Sequence, residues 1–320
     1  MTETTVVART DGRVGRILLN RPKALNALDL DMIRAIQAAL DFWRDSPSVH
    51  AVVIEGAGGR AFCAGADIRV IRDRVLAGDS DAVERFFAEE YALNATIAAY
   101  PKPYVALIDG ICMGGGIGLS VHGRIRVTSE AGLFAMPETA IALFPDVGTT
   151  FILPRLPGEL GLFMGLTGAR LAGADAAHAG IATHFVPRAD FAALSADLAR
   201  DGVAAVAAHA RALPEFSLAP HRAAIDRCFA AASVAEIFSR LEAEATPWAS
   251  ATLAGLRTMS PSAVLWSFDA LRRGAGLTLR EALAGELELT RQVTRHPDFA
   301  EGVRAMVVDK DRQPRWAALP

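Results

Sequence analysis

Residues 104–148 read YVALIDGICMGGGIGLSVHGRIRVTSEAGLFAMPETAIALFPDVG. The apolar run from Tyr104 to Ile108 lies between Pro103 and Gly110, the pattern of a buried strand. Gly114, Gly115 and Gly116 follow, and then a small-residue segment able to start a helix. A turn without β-carbons lets backbone N–H groups approach a ligand closely, and a helix start adds partial positive charge suited to an oxyanion. Tight packing of a helix on a sheet also calls for small residues and explains the turn equally well. Further on stand Glu138 and Asp146, in a segment stiffened by Pro137 and Pro145. Two carboxylates beside an oxyanion site suit acid–base or nucleophilic work on a carbonyl. Most carboxylates in proteins cap helices or form surface ion pairs. Here Met136, Phe144 and two prolines surround them, and a desolvated carboxyl carries protons nearer neutrality.

Upstream, Val14 to Leu19 reads as a strand closed by Arg21-Pro22-Lys23. Asp29 can cap a helix in which Ile33, Ile36, Leu40 and Trp43 recur at helical spacing. Val49 to Ile54 is a second strand, and Arg60 to Asp67 a tight small-residue loop entering a helix near Ile68, whose dipole Asp67 favours. Residues 81–99 read as a helix stopped by Pro101 and Pro103, and one of the adjacent Glu89 and Glu90 is expected to face inward. Strand and helix signals alternate to about residue 190, which implies a layered α/β domain. Residues 191–256 are Ala-rich with helical spacing, Ser260-Pro261 reads as a cap, and Thr278-Leu279-Arg280-Glu281 as a capping box. The expected division is therefore a core over 1–190 and a helical region over 191–320.

Composition narrows the functional classes. A chain of 320 residues, 52% hydrophobic and 22% charged, is long enough to bury a sizeable core. Lys+Arg at 33 against Asp+Glu at 36 leaves a net charge of −3, which argues against a bulk nucleic-acid binder. Cys63, Cys112 and Cys228 match no zinc spacing and cannot all pair, the usage of a reducing compartment. The N-terminal stretch has no signal pattern, and the most membrane-like window, 104–121, contains Asp109 and several glycines. The expectation is a cytoplasmic protein with no membrane partner. A dinucleotide fingerprint fails because Leu119 stands where its last glycine belongs. Ser120 lacks the Gly-x-Ser-x-Gly elbow, and His122, His178 and His184 have no triad spacing. No residue cluster reads as a metal site.

Several segments together resemble the enoyl-CoA hydratase/isomerase, or crotonase, superfamily. They are Arg21 to Leu28 (RPKALNAL), Phe62 to Val70 (FCAGADIRV), Met113 to Gly123 (MGGGIGLSVHG), Phe134 to Gly148 and Leu153-Pro154-Arg155-Leu156. His296-Pro297-Asp298-Phe299, Glu301 to Ala305 and Asp309-Lys310-Asp311 carry the likeness into the tail, so that it spans about residues 10–316. Within the superfamily the chain resembles the branch that hydrolyses thioesters. The resemblance implies a spiral of β-β-α units with a helical C-terminal region. It implies an acyl-coenzyme A substrate, with coenzyme A part of that substrate and no separate cofactor, and a possible homo-oligomer. The implied reaction is hydrolysis of 3-hydroxyisobutyryl-CoA in valine degradation, with 3-hydroxypropionyl-CoA as an alternative substrate. The backbone N–H groups of Ala66 and Gly115 would form the oxyanion hole. Glu138 and Asp146 would be catalytic, and Glu90 would contact substrate. Lys23, Ala64 and Asp67 would lie near the coenzyme A. Hydratases of the superfamily carry a glutamate where Gly118 stands, and the hydrolase branch has glycine there too. Hydration on the same fold, or a non-catalytic RNA-binding relative, are the competing readings.

Overall fold

A computed structural model describes residues 4–319. The strands come in a repeating order. β1 (Val6–Asp11) and β2 (Val14–Leu19) precede helix α1 (Leu30–Arg44). β3 (Ala51–Gly56) and β4 (Ala61–Cys63) precede α2 (Ile68–Leu76) and α3 (Ser80–Ala98). β5 (Tyr104–Ile108) and β6 (Ile111–Met113) precede α4 (Gly115–Val121), and β7 (Ile125–Thr128) and β8 (Leu133–Ala135) come next. β9 (Leu171–Ala172) and β10 (His184–Phe185) complete the set among the described residues. From β3 to β8 the first strand of each pair joins a six-stranded sheet, ordered β1-β2-β3-β5-β7-β10. The second joins a four-stranded sheet, ordered β4-β6-β8-β9. Only the β1–β2 pair of the larger sheet is antiparallel; β2 to β10 run parallel. A parallel sheet is covered on its faces, which is why β5 is apolar throughout and fully buried.

The expected strands at 14–19 and 104–108 are present at those bounds. The second strand begins two residues later than expected, at Ala51, where pairing with Val14 of β2 begins. Asp29 caps α1, accepting the Met32 N–H at 2.9 Å, and Met32, Ile33, Ile36, Leu40 and Trp43 are buried. Thr278 forms the capping box with Glu281.

Two compact units are present, and they interleave along the chain. One comprises residues up to 66, 89–134 and 171–216; the other 67–88, 135–170 and 217 onward. This differs from a single break near residue 190. The first unit holds both sheets. Its core joins Val14, Val53, Val105 and Val127 to Leu194, Leu198 and Val206, so the start of the Ala-rich region covers the sheet. Buried Arg16 fixes that helix, Phe191–Asp201, by donating to the Ser195 carbonyl at 2.7 Å while pairing with Asp11 and Glu55. The second unit is helical. No helix among the described residues is long and apolar enough to cross a membrane.

Candidate active site

The first unit brings Ala66, Gly115 and Glu90 together. Asn26 organises the approach to Ala66. Its buried amide donates to the carbonyls of Ala57 and Ala61, at 3.0 and 2.9 Å, and accepts the Arg21 N–H at 2.9 Å. That anchors a tight turn in which Leu25 and Asn26 both have positive φ. The turn carries Lys23, which is exposed, and lines up Leu28 beside Gly65 and Ala66. The Leu25 carbonyl accepts the Ala64 N–H at 3.0 Å, and the Gly65 carbonyl accepts that of Leu28 at 2.8 Å. The RPKALNAL and FCAGAD segments are thus tied together by backbone hydrogen bonds. Asp67 follows as the residue preceding α2.

The glycines of the turn face different surroundings. A β-carbon on Gly116 would collide with the Cys63 carbonyl, so this glycine serves tight packing of α4. A β-carbon on Gly115 would stand 2.5 Å from Oε1 of Glu90 and 3.4 Å from the Ala66 nitrogen. Gly115 is the first residue of α4, where a backbone N–H has no partner inside the helix. The same spot therefore meets a backbone nitrogen and a carboxyl. Of the adjacent glutamates, Glu90 is the inward one, at 1% exposure, while Glu89 pairs with Arg34 at 2.7 Å. Asn94, which the sequence reading passes over, is buried one turn along the same helix. Among the described residues no group hydrogen-bonds its amide. Ser120 is spent on structure, its hydroxyl donating to the carbonyls of Gly116 and Ile117 at 3.0 and 3.1 Å.

The second unit carries Glu138 and Asp146, both buried. Glu138 opens a short 3-10 turn, Glu138–Ile141, that ends in Ala142 at φ +55°. Its carbonyl accepts the Leu143 N–H at 3.0 Å, and the neighbouring Thr139 hydroxyl donates to the Leu166 carbonyl at 3.1 Å. Asp146 begins a tighter turn. Its carbonyl accepts the N–H and hydroxyl of Thr149, at 2.8 and 2.7 Å. Val147 and Gly148 inside that turn have φ of +53° and +80°. For a β-branched residue this is a strained conformation, costing on the order of 1–3 kcal/mol.

Glu286 pins this turn and was not legible as a site residue. It lies in the helix Leu279–Val293 and is 2% exposed. Its carboxyl accepts the Gly148 N–H at 2.7 Å, the Thr150 N–H at 3.1 Å and the Thr150 hydroxyl. Burial, with the Asp146 charge adding to it, pushes its pKa up to about 8, against the pull of the Thr150 hydroxyl. The signal available was its helical spacing from Ala282, Leu283 and Val293, with which it shares the buried face.

A pH dependence follows. Below its ordinary value of 4.5, Glu286 is protonated whether the chain is folded or not. Between 4.5 and about 8 the unfolded chain releases a proton that the folded chain keeps, so stability falls as pH rises through this window and levels above it. Thermal midpoints of the wild type and E286Q are expected to converge or cross in the wild type's disfavour from pH 5 to pH 8. A difference independent of pH would rule this out.

Comparison with known proteins decides the family. Residues 14–319 match the sequence profile of Enoyl-CoA hydratase/isomerase. The chain belongs to the enoyl-CoA hydratase/isomerase family. Among its relatives, the mitochondrial 3-hydroxyisobutyryl-CoA hydrolase of Xenopus tropicalis is 49% identical over 317 residues, covering 95% of this chain and 82% of its own. The human protein of that name is 46% identical over 323 residues, covering 97% and 83%. A crystal structure of a carnitinyl-CoA dehydratase from Mycobacterium thermoresistibile superposes with a TM-score of 0.95 at 40% identity, covering 98% of this chain and 92% of that one. An enoyl-CoA hydratase from Rhodobacter sphaeroides 2.4.1 gives 0.93 at 46% identity, covering 98% and 93%. The fold of this family member is therefore the crotonase α/β fold with a helical C-terminal region. The names of the vertebrate relatives place them in mitochondria, which overturns the cytoplasmic location expected above. That expectation rested on the absence of a leader pattern in the first residues alone.

Proposed function

We propose that this protein hydrolyses the thioester of 3-hydroxyisobutyryl-CoA, giving 3-hydroxyisobutyrate and free coenzyme A, a step of valine degradation. The observation that carries this reading is near-full-length identity of 49% and 46% to hydrolases of that name. Gly118 supports it, because a glycine cannot supply the carboxylate that hydratases of the superfamily carry there. The reaction consumes only water and thioester, and we propose no separate cofactor. In this reading the Ala66 and Gly115 N–H groups receive the carbonyl oxygen as it gains charge, each such donor contributing about 2.7–4 kcal/mol in the transition state. Glu138 acts on the carbonyl carbon, as nucleophile or by activating water. Asp146 binds the 3-hydroxyl or moves a proton, and Glu90 contacts substrate. Lys23, Ala64 and Asp67 lie along the coenzyme A.

The two similar solved structures, of a dehydratase and a hydratase, favour a second reading, hydration of an enoyl thioester. One assay separates them. Free thiol is followed with a chromogenic disulfide on 3-hydroxyisobutyryl-CoA, and enoyl absorbance on methacrylyl-CoA. The expected outcome is rapid thiol release from the first and no loss of absorbance from the second; hydration without thiol release would reverse the assignment. The protein's own thiols add little background. Cys63, Cys112 and Cys228 are all buried, and burial pushes Cys63 up to about 12. Isobutyryl-CoA, which lacks the hydroxyl, is expected to react far more slowly, since a site built for a hydroxyl leaves its own polar groups unpaired without one. Equal rates would remove Asp146 from hydroxyl recognition.

A further inference from the structure

Glu286 is a buried ionisable group outside the roles just assigned. Three donors from one turn converge on its carboxyl: the Gly148 N–H, the Thr150 N–H and the Thr150 hydroxyl. The turn they belong to starts at Asp146 and passes through Val147 and Gly148 in the left-handed region. Val147 adopts that conformation only when its surroundings over-determine it. The contacts from Glu286 on Gly148 and Thr150 supply that constraint. Mere stability is a poor explanation for the carboxyl. Burying an ionisable group near Asp146 is unfavourable, and an apolar side chain of similar size commonly stabilises a core better. What an apolar side chain cannot do is accept two backbone N–H bonds at once.

We propose that Glu286 is a positioning residue for Asp146: its carboxyl holds the left-handed turn that fixes where the Asp146 carboxyl points. This rests on the reading of Asp146 as a working carboxylate. Glutamine is the informative replacement. It keeps the shape but has one acceptor oxygen, so its amide NH2 must confront either the Gly148 or the Thr150 N–H. The turn then relaxes, and misplacement of a reacting group by about 1 Å can cost on the order of a hundredfold in rate.

The test uses the full chain and thiol release from 3-hydroxyisobutyryl-CoA, with kcat and KM separated and thermal midpoints recorded. E286Q is expected to lower kcat roughly a hundredfold with KM little changed and a folded, cooperative melt. D146N/E286Q is expected to be no slower than D146N alone, because the two residues act as one unit. T150V, which removes one of the three donors, is expected to lose part of the rate, and T150S to recover most of that loss. Wild-type turnover by D146N would sink the reading of Asp146 itself. An impaired D146N beside an E286Q of wild-type kcat would overturn only the present inference, as would losses that multiply in the double variant. Should E286Q not fold, T150V and T150S decide, and equal turnover in the two overturns the proposal.

Discussion

Glu138→Gln is expected to lower kcat for thioester hydrolysis by about 10²–10⁴-fold, the range for removal of a positioned acid–base group. The substitution is close to isosteric, and the backbone of the turn is held independently of the side chain, by Leu143 and by Thr139 with Leu166. A normal thermal melt is therefore expected alongside the lost turnover. The loss should fall on kcat rather than KM, since the carboxyl is proposed to act on the carbonyl carbon and not on the coenzyme A. Near-wild-type kcat in E138Q would remove Glu138 from the chemistry. A single turnover in ¹⁸O-water with excess wild-type enzyme then tests its nucleophilic mode. Label in the Glu138 carboxyl marks attack by the carboxylate, with water opening the resulting anhydride at the enzyme's carbonyl carbon.

A large effect on stability is expected from Gly274→Ala. Gly274 closes the helix Pro261–Gly274, and a β-carbon there would collide with the Thr150 carbonyl oxygen. Both sides of that contact are backbone, so no flexible side chain can yield. The Gly274 carbonyl is also engaged, accepting from Arg155 at 3.0 Å. Overpacking of this kind costs about 1–3 kcal/mol and occasionally more. Gly255→Ala is the matched control. It lies in the helix Pro247–Leu256, and nothing stands within 4 Å of where its β-carbon would sit. There alanine is expected to stabilise by up to about 1 kcal/mol through helix propensity alone. Denaturant midpoints that move in opposite directions for the two variants would bear this out; a neutral G274A would show that the helix end shifts freely.

Much of the first unit was legible because its signals are local. Apolar runs between turn residues marked β2 and β5, and Asp29 announced its helix through capping chemistry that needs only neighbouring residues, as Thr278 did in the second unit. The glycine turn was legible as a place of close approach. Its sequence does not say which glycine faces what, and Gly115 and Gly116 turned out to differ in this. Tertiary partnership was less readable. An Ala-rich helix carries no label for the surface it covers, so Phe191–Asp201 read as the start of a helical region although Leu194 and Leu198 pack on the sheet. Glu286 was hidden for a related reason. It sits among Glu281, Glu288 and Arg291 in a helix that reads as a charged surface, and its burial is decided by the Asp146 turn, far away in sequence.

That separation matters for how such a protein can change over time. Gly148 and Glu286 are 138 residues apart along the chain, yet one hydrogen bond joins them. The second unit draws on residues 67–88, 135–170 and 217 onward. No single crossover between two related genes can transplant it whole. A hybrid joined anywhere between those two residues would take its acid from one parent and the residue that steadies it from the other. Exchange of segments is therefore a poor route to new specificity on this scaffold, and paired substitutions at the two ends are the more accessible one.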